Sequence, residues 1–176
     1  ASDPNQISPN AGLDHRTIKG RRLHVEARVH LETLPADDAA VRRFVEELWV
    51  PYHRSLEATV DGHAIADDAD VVADVVEFQC DRLESENYWT WVAVDGKAGD
   101  ATVPVVVSAN LAGFVATSLD ASPSVFDRPD RLSIDDLFVH ERYRGTGLAR
   151  DLVQQAVEHA RERGCAELVL DVHVDN

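Results

Sequence analysis

The sequence predicts an α/β fold with its elements in the order β-α-α-β-β-β-α-β. Three observations carry this reading. Leu23, Val25, Ala27, Val29 and Leu31 alternate with polar neighbours, which is the period of a half-buried strand. Val41, Phe44, Val45, Leu48 and Tyr52 recur at the spacing of one helix face, and so do Ala149, Leu152, Val153, Ala156, Val157 and Ala160. Ile134 to Val139, short and rich in β-branched and aromatic residues, runs through a turn with two glycines into the second of these stripes.

Taken in order, residues 1–20 are polar, contain Pro4, Pro9 and Gly12, and read as a loose arm before a single domain at 21–176. His24 and His30 fall on the polar face of the first strand, as solvated residues rather than metal ligands. Pro35-Ala36-Asp37-Asp38 starts the first helix, which Pro51 should kink or end. Trp49, Tyr52, His53 and Arg54 gather at that break, where ordinary packing accounts for Trp49 and Tyr52 and His53 has a lesser reading as a base. Asp67 to Leu83 forms the second helix, capped by Asp67 or Asp68, with Val71, Val72, Val75, Val76, Phe78 and Leu83 as its apolar positions.

Tyr88 to Val94 is a strand that ends at the turn pair Asp95-Gly96, followed by a polar connection from Lys97 to Ala101. Val103 to Val107 could extend the strand pair, although Pro104 suggests an edge. Leu111 to Leu119 is a further strand, and Asp120 to Arg131, with Pro123 and Pro129, is a surface loop. After the long helix, capped by Gly164, Leu168, Leu170, Val172 and Val174 alternate with Asp171, His173 and Asp175 along a last strand.

The turn between strand and helix reads Arg142-Tyr143-Arg144-Gly145-Thr146-Gly147. Two glycines allow close backbone approach and positive φ, and the following helix aims its free N–H groups into the turn. Such a turn suits a phosphate or pyrophosphate. It is no Walker loop, because the chain has no Gly-Lys pair, and the dinucleotide fingerprint fails where Arg150 replaces its third glycine. The pattern R-x-x-G-x-G, with strand, helix and next strand in register, resembles the coenzyme A loop of the GNAT superfamily of N-acetyltransferases. The resemblance implies a mixed central sheet flanked by helices, truncated here after its fifth strand. It also implies transfer of acetyl from acetyl-CoA directly to a primary amine, without a metal.

By that resemblance, backbone amides of Leu137, Phe138 and Val139 serve the acetyl end. Amides of Tyr143, Arg144, Gly145, Thr146, Gly147, Leu148 and Ala149 serve the pyrophosphate. Arg142 and Arg144 are expected nearer the phosphates than Arg150. Asn176 matches a residue that touches coenzyme A at the start of the family's next helix, which carries the usual tyrosine acid. The helix and closing strands would follow Asn176, so the chain is read as truncated; the alternative is a partner chain, such as a homodimer mate, that completes the sheet. Ala1 in place of Met agrees with cut ends.

An aliphatic amine has a pKa near ~10.4 and must lose a proton before attack. The run IDDLFV resembles the acidic pair of polyamine-type acetyltransferases, so one of Asp135 and Asp136 is the expected base. The two should point to opposite faces of the strand. His173 is a weaker candidate, and Tyr143, inside the phosphate turn, is a poor substitute for the missing acid. A non-catalytic acyl-CoA-binding or regulatory module is the alternative function.

Composition narrows the setting. Thirty-two acidic residues face seventeen basic ones, a net charge of −15, and only Lys19 and Lys97 are lysine. A surface this acidic repels itself in dilute buffer, whereas at ~1 M salt the Debye length falls to ~3 Å. A halophilic origin is the expectation. Nucleic acid is disfavoured as a partner, since no basic face is visible. No stretch approaches the ~20 apolar residues of a membrane helix and no signal peptide is apparent, so a cytoplasmic protein without membrane contact is expected. Cys80 and Cys165 lack metal-ligand spacing and read as buried free thiols. The acceptor stays open among polyamines, amino acids, antibiotics and peptide N-termini.

Overall fold

The computed structural model describes residues 29–57, 64–65, 70–96, 106 and 108–171. Its element order is the predicted one. Strand β1 (Val29–Thr33) is followed by α1 (Asp38–Phe44), a π-helical turn (Val45–Trp49), α2 (Val50–Glu57) and α3 (Val71–Glu84). Strands β2 (Tyr88–Asp95), β3 (Asn110–Asp120) and β4 (Arg131–Val139) come next, then α4 (Leu148–Glu162) and β5 (Glu167–Leu170). The sheet order is β1-β2-β3-β4-β5; the first three pairings are antiparallel and β4–β5 is parallel. The arm at 1–20, residues 23–28 of the first strand, Asp67 and Asp68, the connection Lys97–Ala101, all of Val103–Val107 except Val106, His173 and Asn176 lie outside the described residues. Among the described residues no helix is long and apolar enough to cross a membrane.

The sheet is sandwiched between two cores. On one face α1, the π turn and α3 bury Val41, Phe44, Leu48 and Val76 against Val92, Val94 and Phe114. Phe44 meets Phe114 edge-on at 4.9 Å between ring centroids, a favourable aromatic geometry. On the other face Leu148, Leu152 and Ala156 of α4 pack on Trp91, Ala93, Val115 and Ile134. From Leu111 to Thr117, β3 is buried at every residue, as its near-continuous apolar run requires.

Several local expectations need correction. Pro51 neither ends nor breaks the first helical stretch, which continues to Glu57. The π turn just before it takes its last bond from the Val50 N–H to the Val45 carbonyl. Pro51 therefore falls in the first turn of a fresh α segment, where a missing N–H costs little. Helix α3 begins at Val71 and is capped by Asp70, whose side chain accepts from the Ala73 N–H, rather than by Asp67 or Asp68. Phe78 is 55% exposed instead of buried, while Gln79 takes the inward position next to Tyr88. Cys80 and Cys165 are free thiols but only half-buried.

Candidate active site

The site grows from an irregularity in β4. Ala116 pairs with Asp136, but its successor Thr117 pairs with Ile134, so Asp135 is the extra residue of a β-bulge. The bulge breaks the two-residue alternation of side chains. Ile134 and Leu137 pack on the α4 face, and Phe138 packs with Tyr52 and Phe114 on the face of α1–α3. Asp135 and Asp136 both turn to that second face, contrary to the opposite-face expectation for regular strands. Asp135 Oδ2 accepts from the Arg82 guanidinium at 2.8 Å and its Oδ1 from the Ser118 hydroxyl at 2.8 Å. Asp136 interacts instead with the Tyr52 hydroxyl.

These environments set the two carboxylates apart. Both oxygens of Asp135 are engaged, and Arg82 is itself held on the Tyr88 ring at 3.7 Å. Asp136 has its pKa raised, above all by burial and also by the charge of Asp135, with Tyr52 and Arg82 opposing. Tyr52 has its phenol pushed well above the ordinary range by burial and by the Asp136 charge. Trp49 and Tyr52 flank His53 at ring distances of 3.9 and 4.9 Å, so three of the four residues read around Pro51 come together, while Arg54 pairs with Glu57 at 3.0 Å.

The outer neighbour of β4 is β5, whose parallel pairing is described from Arg131↔Glu167 to Ile134↔Leu170; beyond Asp171 the chain lies outside the described residues. The His140 N–H donates to Ala112 of β3 at 2.9 Å. Antiparallel alternation then turns the Phe138 N–H toward β3 as well, and those of Leu137 and Val139 away from β3, to the β5 side. Of the three amides predicted for the acetyl end, those of Leu137 and Val139 point to the β5 side of β4 and that of Phe138 points to β3.

The glycine turn lies between the end of β4 and the start of α4. Gly145 and Gly147 have φ of 76° and 97°, and a Cβ added to either would meet nothing within 4 Å. Both glycines are thus required by conformation, and both border open space. Tyr143 is buried, and its hydroxyl donates to Asp95 Oδ2 at 2.7 Å. The Thr146 hydroxyl donates to the Tyr143 carbonyl at 2.7 Å, and Arg144 Nε donates to the Val139 carbonyl at 3.2 Å. Among the described residues the N–H groups of Gly145, Thr146, Gly147, Leu148 and Ala149 find no acceptor within the fold; the first such bonds of α4 come from Arg150 and Asp151 to Gly147. A cleft of about 410 Å³ lies over the turn and is bordered by Val139, Arg144, Leu148 and Arg150. Arg142 lies over the Tyr143 ring at 4.9 Å instead, so Arg150 replaces it beside the cleft. Free amides, two guanidiniums and the positive end of α4 fit a pyrophosphate.

The profile of the Acetyltransferase (GNAT) family matches residues 41–176. This chain belongs to the GNAT acetyltransferase family. Over 93 residues the GNAT chain is 31% identical to N-alpha-acetyltransferase 30 of Saccharomyces cerevisiae, a match covering 51% of this chain and 47% of that protein. Over 80 residues it is 39% identical to streptothricin acetyltransferase of Streptomyces lavendulae, covering 44% of this chain and 39% of that one. The chain thus spans about half or less of the length of these curated relatives. Among solved structures, an aminoglycoside acetyltransferase from a soil metagenome, in complex with sisomicin, shares the fold with a TM-score of 0.57 at 14% identity, over 83% of this chain and 78% of that one. A predicted acetyltransferase of Clostridium acetobutylicum, solved with acetyl-CoA, does so with a TM-score of 0.55 at 14% identity, over 83% and 82%.

Sequence reasoning passed over Asp95, read only as part of a turn, and Arg82 and Ser118, which carry no motif. It read Tyr52 as packing; the signal available was its place beside a proline in a cluster of aromatic and basic residues.

Proposed function

We propose that this GNAT domain transfers acetyl from acetyl-CoA directly to a primary amine, with Asp136 as the base. The observation that supports this most is the bulge at Asp135. It turns Asp135 and Asp136 to one face of the sheet, gives Asp135 to Arg82 and Ser118, and leaves the partly buried Asp136 beside Tyr52.

Acetyl-CoA supplies the thioester when bound. The amides of Gly145 to Ala149, with Arg144 and Arg150, hold its pyrophosphate. The Leu137 or Val139 N–H donates to the thioester oxygen as negative charge develops on it. Asp136 takes one proton from the ammonium, the neutral amine attacks the carbonyl carbon, the C–S bond breaks, and the second proton lost from nitrogen ends on the departing thiolate. A raised pKa suits Asp136 to that task, because a base works best near the operating pH. Asp135, with both oxygens occupied, is the poorer proton acceptor.

The names of the relatives suggest two acceptor classes, peptide N-termini and aminoglycoside-like antibiotics. Acetyl-CoA-dependent thiol release against spermidine, free amino acids, streptothricin and N-terminal peptides tests the reaction. Rapid release with one amine and its loss in Asp136→Asn, but not in Asp135→Asn, is the expected pattern. Calorimetric binding of acetyl-CoA with no release for any amine would instead favour a binding module. From composition alone we infer a high-salt cytoplasm, so these assays belong in molar KCl.

A further inference from the structure

The helix that delivers Tyr52 is unusual in two respects: a π turn precedes it and a proline stands beside it. The result is a phenol seated on the same face of the sheet as the bulge. Its ring lies 5.8 Å from both Phe114 of β3 and Phe138 of β4, and Phe138 is two residues beyond Asp136 on one face of β4. The ring is fixed by these aromatics, and its hydroxyl lies close enough to the Asp136 carboxyl for each to shift the other's titration. π turns that interrupt α-helices often occur at functional sites because they re-aim a side chain.

Resting on the reading of Asp136 as base, we propose that Tyr52 is a positioning residue for acetyl transfer. Its hydroxyl donates to Asp136, fixes which carboxylate oxygen faces the incoming ammonium, and favours the ionised form that accepts the proton. Tyr52 keeps its own proton throughout, so one proton passes from the ammonium to Asp136 and none leaves the phenol. The groups facing Asp136 are Tyr52 from α2, Arg82 from α3, Tyr88 from β2 and Asp135 in β4 itself. Of these, Tyr52 and Arg82 favour the charged carboxylate.

Carboxyl carbon NMR titration reads the pair without any acceptor. Wild type, Tyr52→Phe and Asp136→Asn are compared, the last identifying the Asp136 resonance. In Tyr52→Phe, which keeps the ring, Asp136 should titrate at higher pH while acetyl-CoA affinity holds. Reciprocally, the Tyr52 phenol in Asp136→Asn should titrate at lower pH than in wild type, a readout that survives if Tyr52→Phe fails to fold. Once an acceptor is in hand, Tyr52→Phe should lower kcat roughly tenfold, as loss of a hydrogen bond to a charged group does. An Asp136 titration unmoved in folded Tyr52→Phe would overturn the role and leave the base reading standing. Wild-type turnover by Asp136→Asn would overturn both.

Discussion

The Tyr143 hydroxyl donates to the Asp95 carboxylate at 2.7 Å, and this bond ties the glycine turn to the end of β2, 48 residues away in sequence. Burial and the Asp95 carboxylate both push the Tyr143 phenol up, so it stays a donor across the working pH range. Tyr143→Phe keeps the ring and removes the donor. Loss of a part-buried hydrogen bond to a charged group should cost about 1.5–3 kcal/mol in urea unfolding. Weaker acetyl-CoA binding in the folded variant is also expected, and unchanged affinity would mean that the turn holds its shape without this bond.

Gly113 decides how closely β3 can approach β4. A Cβ there would stand 2.5 Å from the Phe138 carbonyl oxygen, a backbone atom that cannot swing aside. Gly113→Ala should therefore push β4 outward at Phe138 and Val139. A loss of about 1–3 kcal/mol in unfolding free energy is expected, together with reduced acetyl-CoA affinity by calorimetry.

At the turn itself, Gly145→Trp places a large ring in open space at φ 76°. The positive φ costs on the order of 1 kcal/mol for a side-chain-bearing residue, which a stable domain survives. Acetyl-CoA binding should be abolished while circular dichroism is kept. Retained binding by this variant would remove the turn from the cosubstrate site.

His159 supplies a pH dependence away from the chemistry. It is 8% exposed, packed between Trp89 and Trp91 at 4.5 and 4.8 Å, with Arg163 and Glu162 nearby. Burial first, and then Arg163, lower its pKa, so the folded protein favours the neutral ring. The unfolded chain takes up the proton more readily below about 6.5, so this stability is present above that pH and is lost as pH falls beneath it. Tm should drop between pH 7.5 and 5.5, and His159→Gln should flatten part of that slope.

The acidic composition predicts a salt response. If the surface charge is adapted to high salt, Tm should rise steadily from dilute buffer to ~1 M KCl as the Debye length shrinks to ~3 Å. A Tm indifferent to KCl would leave the net charge of −15 without that explanation.

The order of elements was legible in the chain because hydrophobic period is local: alternation along β2 and the stripe of α4 can be counted without knowing what they pack on. The glycine turn was legible for the same reason, since positive φ and close approach are demands on single residues. Register was not legible. A one-residue bulge leaves no mark in the run IDDLFV, yet it turned Asp135 and Asp136 to one face, gave Asp135 to Arg82 and Ser118, and left Asp136 to Tyr52. Which arginine borders the cleft was likewise decided by packing, as Arg142 found the Tyr143 ring and Arg150 did not. The sequence by itself determined the fold class and the place of the turn. Only the tertiary structure, by bringing together residues as far apart in sequence as Arg82 and Asp135 or Tyr52 and Asp136, decided which of two adjacent carboxylates pairs with a guanidinium and which lies beside a phenol.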